Sequence, residues 1–233
     1  MYGMYGYGYG YGLDPTIILV LIGVALSLWA QGRVNSTFSR YSRVRSMTGM
    51  TGAEAARRLL NAQGIYDVTV QQIAGELTDH YDPRTKTVNL SQSVYGATSV
   101  AAIGVAAHEC GHAMQDNEGY APLRFRSALV PVANFGSSLS WPLILLGLVF
   151  GGLGSPLVEI GILMFSLAVL FQLVTLPVEY NASARAVRLL DAQGILAGEE
   201  VNGTRKVLNA AALTYVAAAA TSILQLLRLI ILF

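Results

Sequence analysis

The chain has 233 residues, of which 53% are hydrophobic and only 12% charged, and its formal net charge is +1. Soluble domains carry about 25% charged residues, so this composition predicts a membrane protein. The near-neutral charge gives no case for a nucleic-acid partner, and a single cysteine excludes an internal disulfide.

Four segments are candidates to span a bilayer, which takes about 20 apolar residues. The first, 13–31, follows a tyrosine/glycine tract at 1–12 that we expect to be disordered. No positive charge precedes this span and no clean cleavage site follows it, so we expect an uncleaved anchor. Two further spans are expected within 127–178, the second ending at Pro177, and the last at 210–233.

A polar, basic region at 32–126 separates the first two spans. Within it, residues 66–70 have strand character and residues 77–84 predict a turn. We also expect a helix at Thr51–Leu60 that is ended by Gly64, and a long apolar helix at Ala97–Gln115. Between them, Thr85–Leu90 is expected to form a short β element at a sheet edge. The predicted fold class is therefore a mainly α, polytopic membrane protein with four transmembrane helices and a small membrane-proximal domain.

Residues 108–112 read His-Glu-Cys-Gly-His inside the predicted long helix. Histidines four residues apart project from one helix face, close enough to share a tetrahedral Zn²⁺. Glu109 then lies beside the metal, where a general base for the attacking water is needed. The pattern predicts one catalytic Zn²⁺ bound by His108 and His112 and makes 32–126 the expected catalytic region. Cys110 is expected to be a small apolar spacer.

A catalytic zinc needs a third protein ligand, for which His80 and a carboxylate are candidates. Glu179 is the best of these, because a carboxylate at the end of the third span is costly unless it is paired or bound to a metal. The alternative for Glu179 is an ion pair with Arg185 or Arg188.

Basic residues concentrate between spans one and two and between spans three and four, and none occurs in 1–14 or 151–156. Because lysine and arginine favour cytoplasmic loops, we expect a multi-pass protein of the cell (inner) membrane. The regions 32–126 and 179–209, and with them the active site, would face the cytoplasm. Arg228, in the last span, is expected to snorkel or to pair inside the bundle.

Two ten-residue segments, 56–65 and 186–195, are identical at eight positions. We favour the interpretation that two helices end with the same signal; a duplicated unit is the alternative.

Three segments, 106–115, 77–84 and 176–183, together resemble the YugP-type neutral zinc metallopeptidases, which are small integral-membrane peptidases. The resemblance implies a bacterial or archaeal membrane peptidase whose zinc is held by His108, His112 and Glu179, with Glu109 as the base. More distantly, the chain is similar to membrane gluzincin peptidases such as the CAAX prenyl protease. Those enzymes place an aspartate four residues after the third ligand, where this chain has Ser183. The imidazoles would then be oriented by Asn181, by Asp191 or by a water.

The oxyanion formed during hydrolysis needs a hydrogen-bond donor besides the metal. Among the candidates we favour His80 as a second catalytic residue; the others are Tyr81, Tyr95, Tyr180 and Arg185. The alternative for His80, which has more weight, is a histidine that stabilises the turn beside Asp79 and Asp82. The strand near Thr87–Leu90 could bind an extended substrate by strand addition.

The favoured function is a zinc endopeptidase that cuts membrane or membrane-proximal polypeptides at the cytoplasmic face. The alternative is a non-proteolytic, zinc-stabilised assembly or chaperone protein, whose zinc would be closed by four protein ligands. A protease with its site inside the bilayer is disfavoured by the basic residues near the motif. The expected partners are the lipid bilayer and a polypeptide substrate. Oligomers are possible through the glycines at 147, 151, 152 and 154.

Overall fold

The computed structural model describes residues 14–152 and 154–233, so the predicted disordered tract at 1–12 lies outside the described residues. The described part is mainly helical and contains one small sheet. Its elements are α1 (Ile17–Ser42), α2 (Gly52–Ala62), β1 (Thr69–Ile73), β2 (His80–Asp82), β3 (Thr87–Ser91), α3 (Gln92–Tyr95), α4 (Val100–Asn117), α5 (Ala121–Gly151), α6 (Pro156–Ala192) and α7 (Glu199–Leu232).

Four of these helices, α1, α5, α6 and α7, are long and apolar enough to cross a membrane, which confirms the predicted polytopic fold class. Each continues past the predicted span into the polar part of the chain, and the domain boundaries stay a prediction. Pro177, expected to close the third span, does not end the helix, because α6 runs through it to Ala192; the end of the span itself stays a prediction. Neighbouring helices and side chains can satisfy the backbone group that a proline frees, so membrane helices tolerate it.

The long helices pack in the order α1, α7, α6, α5, with α5 and α6 forming a hairpin. Where the start of α1 meets the end of α7, an Arg228 Nη lies 3.3 Å from a carboxylate oxygen of Asp14. Arg228 therefore has an acidic partner, as one of the two predictions expected, but the pair is partly exposed and lies at the end of the bundle.

Small residues bring α5 and α6 into close contact. A Cβ at Gly147 would lie 2.8 Å from the backbone nitrogen of Val158, and one at Gly151 would lie 2.7 Å from Ser155 Oγ. Two of the four glycines considered for oligomer contacts are thus already used within the chain, and oligomerisation stays a prediction.

The sheet has the strand order β1-β3-β2, with β3 parallel to β1 and antiparallel to β2. The predicted strand at Thr85–Leu90 exists as β3, but its placement at a sheet edge was wrong. Val88 and Leu90 are fully buried against the helices, and both sides of β3 are paired. The edges are β1 and β2, and β2 forms within the predicted turn at 77–84.

The two similar segments at 56–65 and 186–195 end α2 and α6 in the same way. Gly64 and Gly194 have φ angles of 69° and 60°, a left-handed conformation that favours glycine. The residue after each glycine donates its backbone N–H to the carbonyl five residues earlier, at 3.0 Å. A shared helix-termination signal, the favoured interpretation, accounts for the similarity.

Candidate metal centre

Helix α4 carries the predicted motif and is buried along most of its length. Its first turn is capped by Ser99, whose Oγ accepts a hydrogen bond from the backbone N–H of Ala102 at 3.2 Å. Small apolar side chains then let α2, α6 and α7 pack closely around it. The rings of His108 and His112 lie edge to face, with centroids 4.8 Å apart. Glu109 is buried beside them.

Gly111 sets how closely α6 can cross α4. A Cβ at this position would lie 2.6 Å from the carbonyl oxygen of Ala182 and 3.0 Å from its Cα, so no larger residue fits without moving a backbone. The crossing places Glu179 and Ser183, one turn apart on α6 and on either side of Ala182, next to the two histidines.

Three potential ligands converge at this crossing. Glu179 Oε2 lies 3.2 Å from His108 Nε2 and 3.5 Å from His112 Nε2. One donor atom from each of the three residues lies within 4.8 Å of the others. Neither arginine of the alternative ion pair lies within 4.0 Å of the Glu179 carboxylate among the described residues: an Nη of Arg185 contacts Glu118 at 2.6 Å instead, and the ion-pair partners of Glu179 do not include Arg188.

The outer ring nitrogens of both histidines are held by side chains. His108 Nδ1 lies 3.1 Å from Ser183 Oγ, and His112 Nδ1 donates to Gln115 Oε1 at 3.0 Å. The Gln115 amide is itself oriented, because its Nε2 donates to Val178 O at 2.9 Å. Ser183 Oγ and Gln115 Oε1 can each accept a proton from Nδ1, so a divalent metal ion that replaced the Nε2–Glu179 contacts would find the lone pair of each Nε2 available.

The electrostatic environment of His112 also attracts positive charge. Burial lowers the pKa of His112, but the hydrogen bond to Glu179 and the charge of Glu109 outweigh burial, so the pKa lies above its ordinary value. A group of side chains that holds a proton here would also hold a metal cation in its place.

The expected orienting residues are only partly correct. Ser183, noted as a departure from the aspartate of related enzymes, contacts His108 directly, and Gln115 was not anticipated. Asn181 acts one step further out, since its Oδ1 accepts from Gln115 Nε2 at 3.0 Å. Asp191 lines a different cavity. The spacing of three residues between His112 and Gln115 was the signal that could have identified Gln115.

The ligand cluster lies between two cavities, of about 510 and 280 Å³. His108, Glu109 and Glu179 line both. His80 faces the larger one, but it is exposed and both of its ring nitrogens have partners: Nδ1 lies 2.9 Å from Thr78 O and Nε2 lies 3.2 Å from Asn89 Nδ2.

The other candidates for the oxyanion donor are engaged elsewhere. Tyr81 donates its hydroxyl to Asp116 at 2.8 Å, and the hydroxyl of Tyr95 accepts from Arg57 at 2.8 Å. Arg185 binds Glu118, as described above. Tyr180 lines a separate cavity.

Two residues of the larger cavity were missed from the sequence. An Nη of Arg126 lies 3.7 Å from Glu179 Oε1, and its buried Nε has no hydrogen-bond partner among the described residues. Tyr215 of α7 lines both cavities. Arg126 was interpreted only as a marker of membrane orientation and Tyr215 only as part of an apolar span. No local spacing links either to the motif.

Comparison with known proteins identifies the family of the chain. Residues 16–233 match the family described as "Putative neutral zinc metallopeptidase". The chain is 49% identical over 217 residues to a Bacillus subtilis (strain 168) protein named "Putative membrane protease YugP", covering 93% of this chain and 96% of that protein. No solved structure matches the chain.

Proposed function

This chain belongs to the neutral zinc metallopeptidase family, and from that premise we propose that it is a zinc-dependent endopeptidase acting on membrane or membrane-proximal polypeptides. The observation that carries the proposal is the convergence of His108 Nε2, His112 Nε2 and Glu179 Oε2 beside the buried Glu109.

The proposed cofactor is one Zn²⁺ held by His108, His112 and Glu179. Three protein ligands with a cavity beside them match a catalytic zinc site, whereas a structural site is closed by four. When bound, zinc lowers the pKa of water to about 7 and polarises a carbonyl group.

Glu109 is the proposed general base. It lines both cavities next to the first histidine, so it can take a proton from the attacking water and pass that proton to the leaving amine. The cavities on both sides of the cluster leave room for polypeptide on both sides of the cleaved bond, which supports an endopeptidase.

The oxyanion donor is proposed to come from the larger cavity. His80, the residue favoured from the sequence, would have to release Thr78 or Asn89 before it could donate. Arg126 has a buried N–H group without a partner among residues 14–152 and 154–233 and is the stronger candidate. Separate His80→Asn and Arg126→Met variants distinguish the two residues, because removing the true donor should lower kcat by about 10²–10³-fold.

Strand addition is proposed to use β2 rather than the predicted strand at Thr87–Leu90, which is paired on both sides. β2 is an edge strand, and His80 and Tyr81 on it line the larger cavity. An extended substrate could therefore pair with β2 while reaching the metal. The distribution of basic residues supports a cytoplasmic active site in the cell membrane.

The test is Glu109→Gln in the full-length, detergent-solubilised protein, with zinc content and cleavage of casein measured together. We expect full zinc occupancy and a loss of turnover of about 10²–10⁴-fold. Glu76→Gln, which changes an exposed glutamate outside these cavities, is the matched control. Wild-type turnover by Glu109→Gln would overturn the proposal and favour the assembly or chaperone alternative.

A further inference from the structure

A third cavity, of about 690 Å³, lies between α1, α6 and α7 and shares no lining residue with the larger cavity at the metal centre. We call it the basic groove and define it by Arg33, Arg40, Tyr41, Tyr180, Lys206 and Leu213.

The cations of the basic groove have no acidic counterpart. Within residues 14–152 and 154–233, no carboxylate oxygen lies within 4.0 Å of the charged nitrogens of Arg33, Arg40 or Lys206, and no acidic residue lines the groove. Two other arginines on the long helices do have acidic partners, since Arg185 pairs with Glu118 and Arg228 pairs with Asp14. A concave surface with three unpaired cations attracts an anion.

The basic groove lies where the apolar parts of the helices end. On α1, Arg33 follows the apolar stretch, and Trp29 lies one turn before it on the same helix face and is 55% exposed. On α7, Lys206 comes before the apolar stretch, and Leu213 continues the same face toward the membrane. Tryptophan at this level is typical of the membrane–water interface. The groove is therefore polar at one end and continues into exposed apolar surface at the other.

Close packing fixes the walls of the basic groove. A Cβ at Gly203 of α7 would lie 2.7 Å from Cε1 of the Tyr41 ring, so this ring sits directly against the α7 backbone. The Arg40 guanidinium carbon lies 5.7 Å from the centre of the same ring. The groove is thus preformed by helix packing.

We propose that the basic groove binds the phosphate of an anionic phospholipid headgroup, with the acyl chains along the apolar faces of α1 and α7. Arginine is suited to phosphate because its planar guanidinium donates two parallel hydrogen bonds. Basic pockets between membrane helices are known to hold anionic headgroups. This site is independent of the proposed peptidase activity.

The experiment titrates the full chain in detergent with phosphatidylglycerol or phosphatidylcholine by native mass spectrometry, and with inorganic phosphate by calorimetry. We expect one phosphatidylglycerol site that binds at least about tenfold tighter than phosphatidylcholine. The triple variant R33Q/R40Q/K206Q should weaken phosphatidylglycerol binding about 100-fold, because each basic residue contributes roughly fivefold to the affinity. The matched control R43Q/R45Q/R124Q removes three exposed cations outside the groove and should change binding less than about twofold.

Equal binding of the two lipids, or an equal loss in the control variant, would overturn the proposal. Inorganic phosphate binding as tightly as the lipid would assign the groove to a free anion instead. If circular dichroism shows that the triple variant is unfolded, the three single variants replace it. Each single variant should then bind phosphatidylglycerol about fivefold more weakly than the wild type. Unchanged binding in all three would again contradict a headgroup site.

Discussion

Helices α4 and α6 bring together the candidate metal centre from different surroundings. α4 is a short, buried helix inside the polar domain, and its two histidines and glutamate are neighbours along one stretch of chain. α6 is a long membrane helix that contributes Glu179 and Ser183 only where it crosses Gly111. Helix pitch alone therefore aligns the two candidate ligands His108 and His112, whereas the position of Glu179 depends on how two helices pack.

The strongest test of this comparison removes Glu179, the ligand proposed on α6. Glu179→Ala should lower zinc affinity by at least about 100-fold, because a four-ligand site is worth about 10–16 kcal/mol and one ligand's share is roughly 3 kcal/mol. Metal content and chelator competition measure the change. Glu159→Ala, at the other end of α6, should behave as the wild type. Unchanged zinc in Glu179→Ala would remove Glu179 from the site and favour His80 as the third ligand.

The next largest effect concerns the residues that orient the imidazoles, one from each helix. Ser183→Ala and Gln115→Leu should each weaken zinc binding by about 10–100-fold, because each removes the partner of a histidine Nδ1. Ser183→Asp should bind zinc at least as tightly as the wild type, since a carboxylate is a stronger acceptor. The control is Ser166→Ala, whose hydroxyl contacts only its own helix. Equal affinities in all these variants would show that the contacts do not orient the ligands.

A smaller effect is expected from the crossing itself. Gly111→Ala forces a Cβ against the α6 backbone and should destabilise the protein by about 1–3 kcal/mol, measured by thermal unfolding in detergent. Gly32→Ala is the matched control, because nothing lies within 4 Å of a Cβ there and alanine is the better helix former. A Gly111→Ala variant as stable as this control would mean that the helices need not approach so closely.

The smallest effect is expected at the far end of α4, where Asp116 links the helix to the sheet. Its Oδ2 accepts hydrogen bonds from Tyr81 Oη at 2.8 Å and Lys86 Nζ at 2.7 Å. Because the ion pair is partly exposed, Asp116→Asn should cost about 1 kcal/mol or less, and less still at high salt. Urea unfolding at two salt concentrations checks this, with Asp67→Asn as an exposed control. A larger loss would mean that the sheet, and not only α6, fixes the position of α4.

The sequence predicted much of the fold because its strongest signals are local. Twenty apolar residues identify a span wherever it packs, and the repeated Leu-Leu-x-Ala-Gln-Gly-Ile pattern ended two helices as expected. Predictions failed where an element's role depends on its neighbours. Pro177 does not end α6, because adjacent helices stabilise it. β3 is central rather than an edge strand, because β1 and β2 pair on both its sides.

By itself, the sequence determined that the protein spans a membrane and that His108, Glu109 and His112 share one helix face, because hydropathy and helical spacing are properties of a continuous stretch of chain. The tertiary structure alone decided which groups complete the centre. Ser183 contacts His108, and Arg126 and Tyr215 line the cavity, because α4, α5, α6 and α7 meet there. Such meetings depend on close packing between distant segments, which no local pattern encodes.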